Sequence, residues 1–193
     1  MDINSKTMKR IMLIACLLAG VGTATRAQVY MARTAHVSFN ATAAGSPEKI
    51  EAVNNEVASK LDKATGRLGF QVPVKSFKFE RALMQEHFNE NYMESDKYPR
   101  AEFDGMVSNI ADVNTNNDGT YNVKVSGKLT IHGVTKEVSV PGTVTVKRGQ
   151  LVMSAKFNVR LADHKINVPS VVADKVAKEA VVTIESALNV VRK

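Results

Sequence analysis

Between residues 121 and 161 apolar and polar positions alternate with a period of two. Tyr121, Val123, Val125, Leu129 and Ile131 share one side, against Asn122, Lys124, Ser126, Lys128 and Thr130. The alternation restarts after His132-Gly133, where Val138, Val140, Val144 and Val146 oppose Glu137, Ser139, Thr143, Thr145 and Lys147. It restarts again after Arg148-Gly149, with Leu151, Met153, Ala155, Phe157, Val159 and Leu161 opposing Ser154, Lys156, Asn158 and Arg160. Period-two alternation places successive side chains on opposite faces of a strand. Three such runs joined by Gly-containing turns predict an antiparallel meander with one apolar face. That much one-sided apolar surface must be covered, and a sheet does so by curling onto itself. The predicted fold is therefore mainly β, an extended antiparallel barrel. Gly105, Gly127, Gly142 and Ala155 are interior positions whose missing bulk leaves room or permits curvature.

Upstream the pattern is less regular. Residues 36–40 predict a short strand, with Val37 and Phe39 on one face. Residues 50–61 fit a helix by the spacing of Val53, Val57 and Leu61, and fit a strand by the set Val53, Asn55, Val57, Ser59 and Leu61. The strand is preferred, because residues 62–66 read as a hairpin turn into Leu68, Phe70, Val72 and Val74. Pro73 has no N–H to donate, which predicts an edge or a bulge, and the apolar phase shifts afterwards to Phe77 and Phe79. Residues 80–91 predict one short helix, with Met84, Phe88 and Tyr92 spaced by four and suited to lie across a barrel mouth. Tyr98-Pro99 ends it. Residues 101–110 predict a further strand. A minor helical turn near residues 170–175 then precedes a closing strand carrying Val182, Ile184, Leu188 and Val190. Pairing of that strand with an early one would remove the open edge.

The first 27 residues read as a secretory signal peptide: a basic start (Lys6, Lys9, Arg10), an apolar run over residues 11–21, and small residues at Thr25 and Ala27. Residues 28–193 then form a single barrel domain. The net charge of +7 falls on removal of four basic residues and one acid, leaving 22 basic against 18 acidic residues, a net +4. Those charges are interspersed, with no basic stripe bearing aromatics, so no nucleic-acid partner is expected. The apolar run is too short for a stable membrane span. The one cysteine, Cys16, lies in the leader. Leu13-Ile14-Ala15-Cys16 also resembles a lipobox, so a lipoprotein anchored at Cys16 is the less favoured alternative.

Two stretches carry a family resemblance. The first is His87-Phe88-Asn89-Glu90-Asn91-Tyr92-Met93 with Lys97-Tyr98-Pro99-Arg100-Ala101-Glu102-Phe103, and the second is Gly127-Lys128-Leu129-Thr130-Ile131-His132-Gly133-Val134-Thr135-Lys136. Together they resemble the YceI-like domain. The match is good from about Gln85 to Phe157 and loose at the last strand. Ahead of Leu68 it is weak, and only Ala35-His36-Val37-Ser38-Phe39 stands where the family has a long opening hairpin, so a shortened hairpin is expected. The resemblance implies a lipocalin-like barrel, exported to the periplasm, that holds a polyisoprenoid chain such as an isoprenoid quinone tail. Periodicity alone reaches the barrel and its apolar interior, not the isoprenoid.

Candidate chemistry is sparse. His36, His87, His132 and His164 show no zinc-site spacing, and no nucleophile elbow or mature-chain cysteine is present, so neither metal nor catalysis is expected. His132 is predicted exposed in its turn, and His164 in a loop or at a strand end. His87 reads either as a packed histidine bonded to a backbone carbonyl or as a polar contact at the cavity mouth. The expected ligand-binding residues are Met84, Phe88 and Tyr92 on the helix, with His87 or Tyr98 at the ligand's polar end. Phe70, Leu129, Ile131, Val140, Met153 and Phe157 are expected inside. The expected partner is an apolar lipid, an isoprenoid or isoprenoid quinone, held without a cofactor by a monomer or a homodimer. The alternative is a structural or protein-interaction barrel with a filled core. N-terminal sequencing of the secreted protein should begin at or near Gln28; a chain starting at a lipidated Cys16 would make this a lipoprotein instead.

Overall fold

The computed structural model describes residues 28–191, so the predicted leader, residues 1–27, lies outside the described residues. The described residues form nine strands: β1 (Val29–Thr42), β2 (Glu51–Asp62), β3 (Arg67–Pro73), β4 (Lys78–Phe79), β5 (Arg100–Val107), β6 (Gly119–Ile131), β7 (Val134–Lys147), β8 (Gln150–Arg160) and β9 (Val176–Val190). One short helix, α1 (Ala82–His87), runs on into a π-helical turn, Phe88–Tyr92. The strands are neighbours in the order β1-β9-β8-β7-β6-β5-β3-β2, and β1 also pairs with β2, which closes an eight-stranded antiparallel barrel.

The meander forms as the alternation predicts. Val123, Val125, Val144, Val146, Leu151 and Met153 point inward and are buried. Gly105 and Gly127 face each other across the β5–β6 ladder. A Cβ on Gly105 would lie 2.8 Å from the Gly127 Cα and 2.5 Å from the tip of Phe103. These two glycines therefore serve close backbone approach and leave no cavity. The predicted break at Pro73 is a 3₁₀ turn, Val74–Ser76, after which β4 resumes pairing with β2.

Two expectations are corrected at the N-terminal hairpin. It is not shortened: β1 has 14 residues and β2 has 12. The sequence hides β1 because its register shifts between Ala32 and Ala35, so that Tyr30 and Ala32 fall in one phase and Ala35, Val37 and Phe39 in the other. A bulge of this kind defeats a period-two reading and sharpens the local curl. The matching irregularity in β2 reverses its first half. Val53 is 39% exposed, whereas Asn54 is fully buried. Asn54 fits there because its amide donates to the Pro73 carbonyl at 2.8 Å and its side-chain oxygen accepts from the Glu56 N–H at 2.8 Å.

One end of the barrel is sealed by the β5–β6 connection, where Ile110 and Val113 are buried and Lys63 donates to the Ile110 carbonyl. Inside, Ser59 on β2 and Ser186 on β9 share a buried hydrogen bond of 2.7 Å. Replacing either serine by alanine leaves the other hydroxyl unpaired and should cost about 1–3 kcal/mol. The double replacement should cost less than the sum of the two, a coupling that urea denaturation of the four proteins in the cycle measures directly. Strict additivity would mean that the pair is not formed.

Candidate functional site

At the other end, the β1–β2, β3–β5 and β8–β9 connections converge with the tight β6–β7 turn. The first three of these connections line an open cavity of about 330 Å³. Phe79, Phe88, Tyr92, Leu161 and the buried Met93 and Ile166 form its apolar wall. Glu48, Arg81, His87 and Lys175 supply its polar groups. Glu48, on the β1–β2 connection, accepts from Arg81 Nη1 at 2.6 Å and from Lys175 Nζ at 3.1 Å. One carboxylate thus ties three chain segments across the mouth. The Lys175 hydrogen bond and charge hold the Glu48 carboxyl below its ordinary value of 4.5; burial opposes them, and the Arg81 charge and hydrogen bond add a lesser lowering.

A second cavity, of about 60 Å³, lies within the barrel among Leu68, Phe70, Phe103, Leu129, Val140, Met153 and Phe157. The two cavities share no lining residue. Four phenylalanines pack at the base of α1: Phe39 lies 5.3 Å from Phe77, 5.8 Å from Phe79 and, stacked, 5.5 Å from Phe88, while Phe79 and Phe88 are 5.0 Å apart. Such centroid distances are those of favourable aromatic contact.

Of the residues singled out in the sequence, Met84, His87, Phe88 and Tyr92 line the mouth cavity. Phe70, Leu129, Val140, Met153 and Phe157 line the inner one. Ile131 lines neither; it packs on the small cluster of Val74, Met93 and Ile166. Tyr98 also stands apart from both. Its ring covers the β6–β7 turn edge-on to His132 at 4.7 Å, and a Cβ on Gly133 would strike it. The predicted exposure of His132 is thereby corrected. Its side chain is 10% exposed, with Nε2 2.7 Å from Glu94 Oε2 and Nδ1 3.1 Å from the His164 carbonyl. His164 is buried too, and its Nδ1 lies 3.0 Å from the Val134 carbonyl. His87 is exposed, with Nδ1 3.0 Å from Asn91 Nδ2 rather than bonded to a backbone carbonyl.

Sequence reading missed Ile50, Met93, Ile166, Val172 and the Glu48 tie. Isolated apolar residues inside polar connections, such as Ile166 between Lys165 and Asn167, were the available signal. Among the described residues, no group of three or more His, Cys, Asp or Glu side chains is placed to hold a metal, and no helix is long and apolar enough to cross a membrane.

The chain matches the YceI-like domain over residues 26–188 and belongs to that family. Its fold is similar to a polyisoprenoid binding domain from Saccharophagus degradans, at 12% identity and a TM-score of 0.74, covering 86% of this chain and 100% of that one. It is also similar to BcnA of Burkholderia cenocepacia, at 18% identity and a TM-score of 0.64, covering 80% and 95%. No curated protein matches the chain.

The Glu48 tie has a definite pH signature. Because the folded-state value is lowered, its stabilisation is present above pH 4.5 and is lost as pH falls through the lowered value. Glu48→Gln should therefore melt below the unsubstituted protein at neutral pH, by a small margin since its partners Arg81 and Lys175 are exposed. The two melting curves should converge in acid, once the pH lies below the lowered value. A difference that persists there would mean the tie is not ionic.

Proposed function

We propose that the protein is an exported, non-catalytic carrier that holds an isoprenoid-like apolar chain, an isoprenoid lipid or the tail of an isoprenoid quinone, in the periplasm. The observation that carries this reading is the mouth cavity: about 330 Å³, walled by aromatic and aliphatic side chains, with its few polar groups gathered among Glu48, Arg81, His87 and Lys175. This falls at the lower end of the roughly 300–1,000 Å³ usual for ligand sites, and the lining has the usual apolar majority with a few polar groups. Membership of the YceI-like family and the likeness to a polyisoprenoid binding domain support the choice of ligand class. Each buried CH₂ contributes about 0.8 kcal/mol, so one isoprene unit of five carbons supplies about 4 kcal/mol before the costs of binding.

The inner cavity is small, about 60 Å³, so the ligand is held first at the mouth rather than threaded through the barrel. In this arrangement Met84, Phe88 and Tyr92 contact the apolar chain and His87 its polar end. Solvent extraction of the purified protein, followed by mass spectrometry, should release a long apolar molecule. His87→Gln and Met84→Ala should reduce its retention severalfold at unchanged melting temperature. A consistently empty protein would favour the filled interaction barrel instead.

A further inference from the structure

The barrel wall is not continuous between β7 and β8. Their ladder runs from Lys147↔Gln150 to Gly142↔Ala155 and stops there, although β7 continues to Val134 and β8 to Arg160. On either side the neighbouring ladders remain paired: β6–β7 along the whole of β6, and β8–β9 up to Arg160↔Glu179. Burial changes at the same point. Below the fork the inward residues Val144, Val146 and Leu151 are 0%, 2% and 0% exposed. Above it Val138, Val140 and Phe157, on the same inward faces, are only half-buried, and burial resumes at Val159 near the mouth end of β8. The inner cavity reaches the fork, because its lining includes Thr143, Ser154 and Ala155 as well as Leu68 and Phe103 across the interior.

The residues at the fork suit an opening. Pro141 has no N–H to offer β8. Gly142 carries no side chain, and a Cβ there would lie 2.9 Å from the Ser154 carbonyl oxygen and 3.6 Å from the Ala155 Cβ. The gap is bounded at the mouth end by the His164–Val134 hydrogen bond. Lys156 and Arg160 stand exposed along its β8 edge, and charges at an open edge oppose pairing with another strand.

We propose that the β7–β8 gap is a lateral portal through which a thin hydrocarbon chain reaches the barrel interior. The proposal rests on the ligand reading above. The phenylalanine cluster supports it as well: Phe39, Phe77, Phe79 and Phe88 pack together at the base of α1, and the mouth cavity and the inner one share no lining residue. The lining is almost wholly apolar and its volume is about 60 Å³, so it suits the neutral end of a hydrocarbon chain and excludes a bulky ring system.

The test uses the full chain with Cys16→Ser and farnesol as the probe. Val140→Cys should react with N-ethylmaleimide at least about tenfold faster than Val144→Cys, since thiol reactivity follows access. Farnesol should slow labelling at position 140, and Ala155→Leu, which fills the fork, should abolish that protection. If Val140→Cys does not fold, Val138→Cys on the same face replaces it. Equally slow labelling at both positions would overturn the portal. Farnesol that binds by extraction yet leaves labelling unchanged would overturn the portal and spare the mouth site. Farnesol that does not bind the unsubstituted protein at all would overturn both.

Discussion

The architecture depends on the double engagement of β1. It is hydrogen-bonded to β2 along one edge and to β9 along the other, and that circular pairing gives the chain an inside. Without it the same strands would form an open sheet with two long unpaired edges and an uncovered apolar face, an arrangement that invites association. The contact is also the least local in the molecule, since it joins the first and last strands. The Ser59–Ser186 pair, which bridges β2 and β9 inside the barrel, is polar yet buried because closure brings the two hydroxyls together.

Much of this was legible in the chain, and the parts that were not share a cause. The β6–β7–β8 meander was readable because Val123, Val125, Val144, Val146, Leu151 and Met153 keep one phase without interruption. β1 was foreshortened because its bulge changes phase and its inward residues include Ala32 and Ala35, too small to register as apolar. In β2 the alternation groups Val53 with Val57 and Leu61, yet Asn54 is the buried residue, and an asparagine inside a barrel is recognisable only once its partners at Pro73 and Glu56 are known. The helix stripe was legible for the same reason as the meander: Met84, Phe88 and Tyr92 repeat. Glu48, Ile166 and Lys175 belong to irregular connections, where spacing carries no information about what will meet.

The two cavities divide the work unequally. The mouth is built by chain segments far apart in sequence and held by ions and hydrogen bonds, Glu48 on one side and the Glu94–His132–His164 chain on the other. The interior is built by strands and filled mostly by their side chains. Phe88 packs against both the main barrel core and the small cluster around Val74, Met93 and Ile166. It is therefore the residue through which a change at α1 would be felt in the barrel.

The π-helical turn after α1 carries an implication for chain length. Four residues overshoot a full turn of an ordinary α-helix, which has about 3.6 residues per turn. The turn at Phe88–Tyr92 is wider, closed by the Met93 N–H on the Phe88 carbonyl at 2.9 Å, and both Phe88 and Tyr92 line the mouth cavity. The segment is pinned before it by Arg81 on Glu48 and after it by Glu94 on His132. It thus acts as a spacer of set length. Substitutions at the outward Glu90 or Asn91 would be absorbed locally. Losing a single residue would restore the tighter winding and shorten the span between the Arg81 and Glu94 anchors.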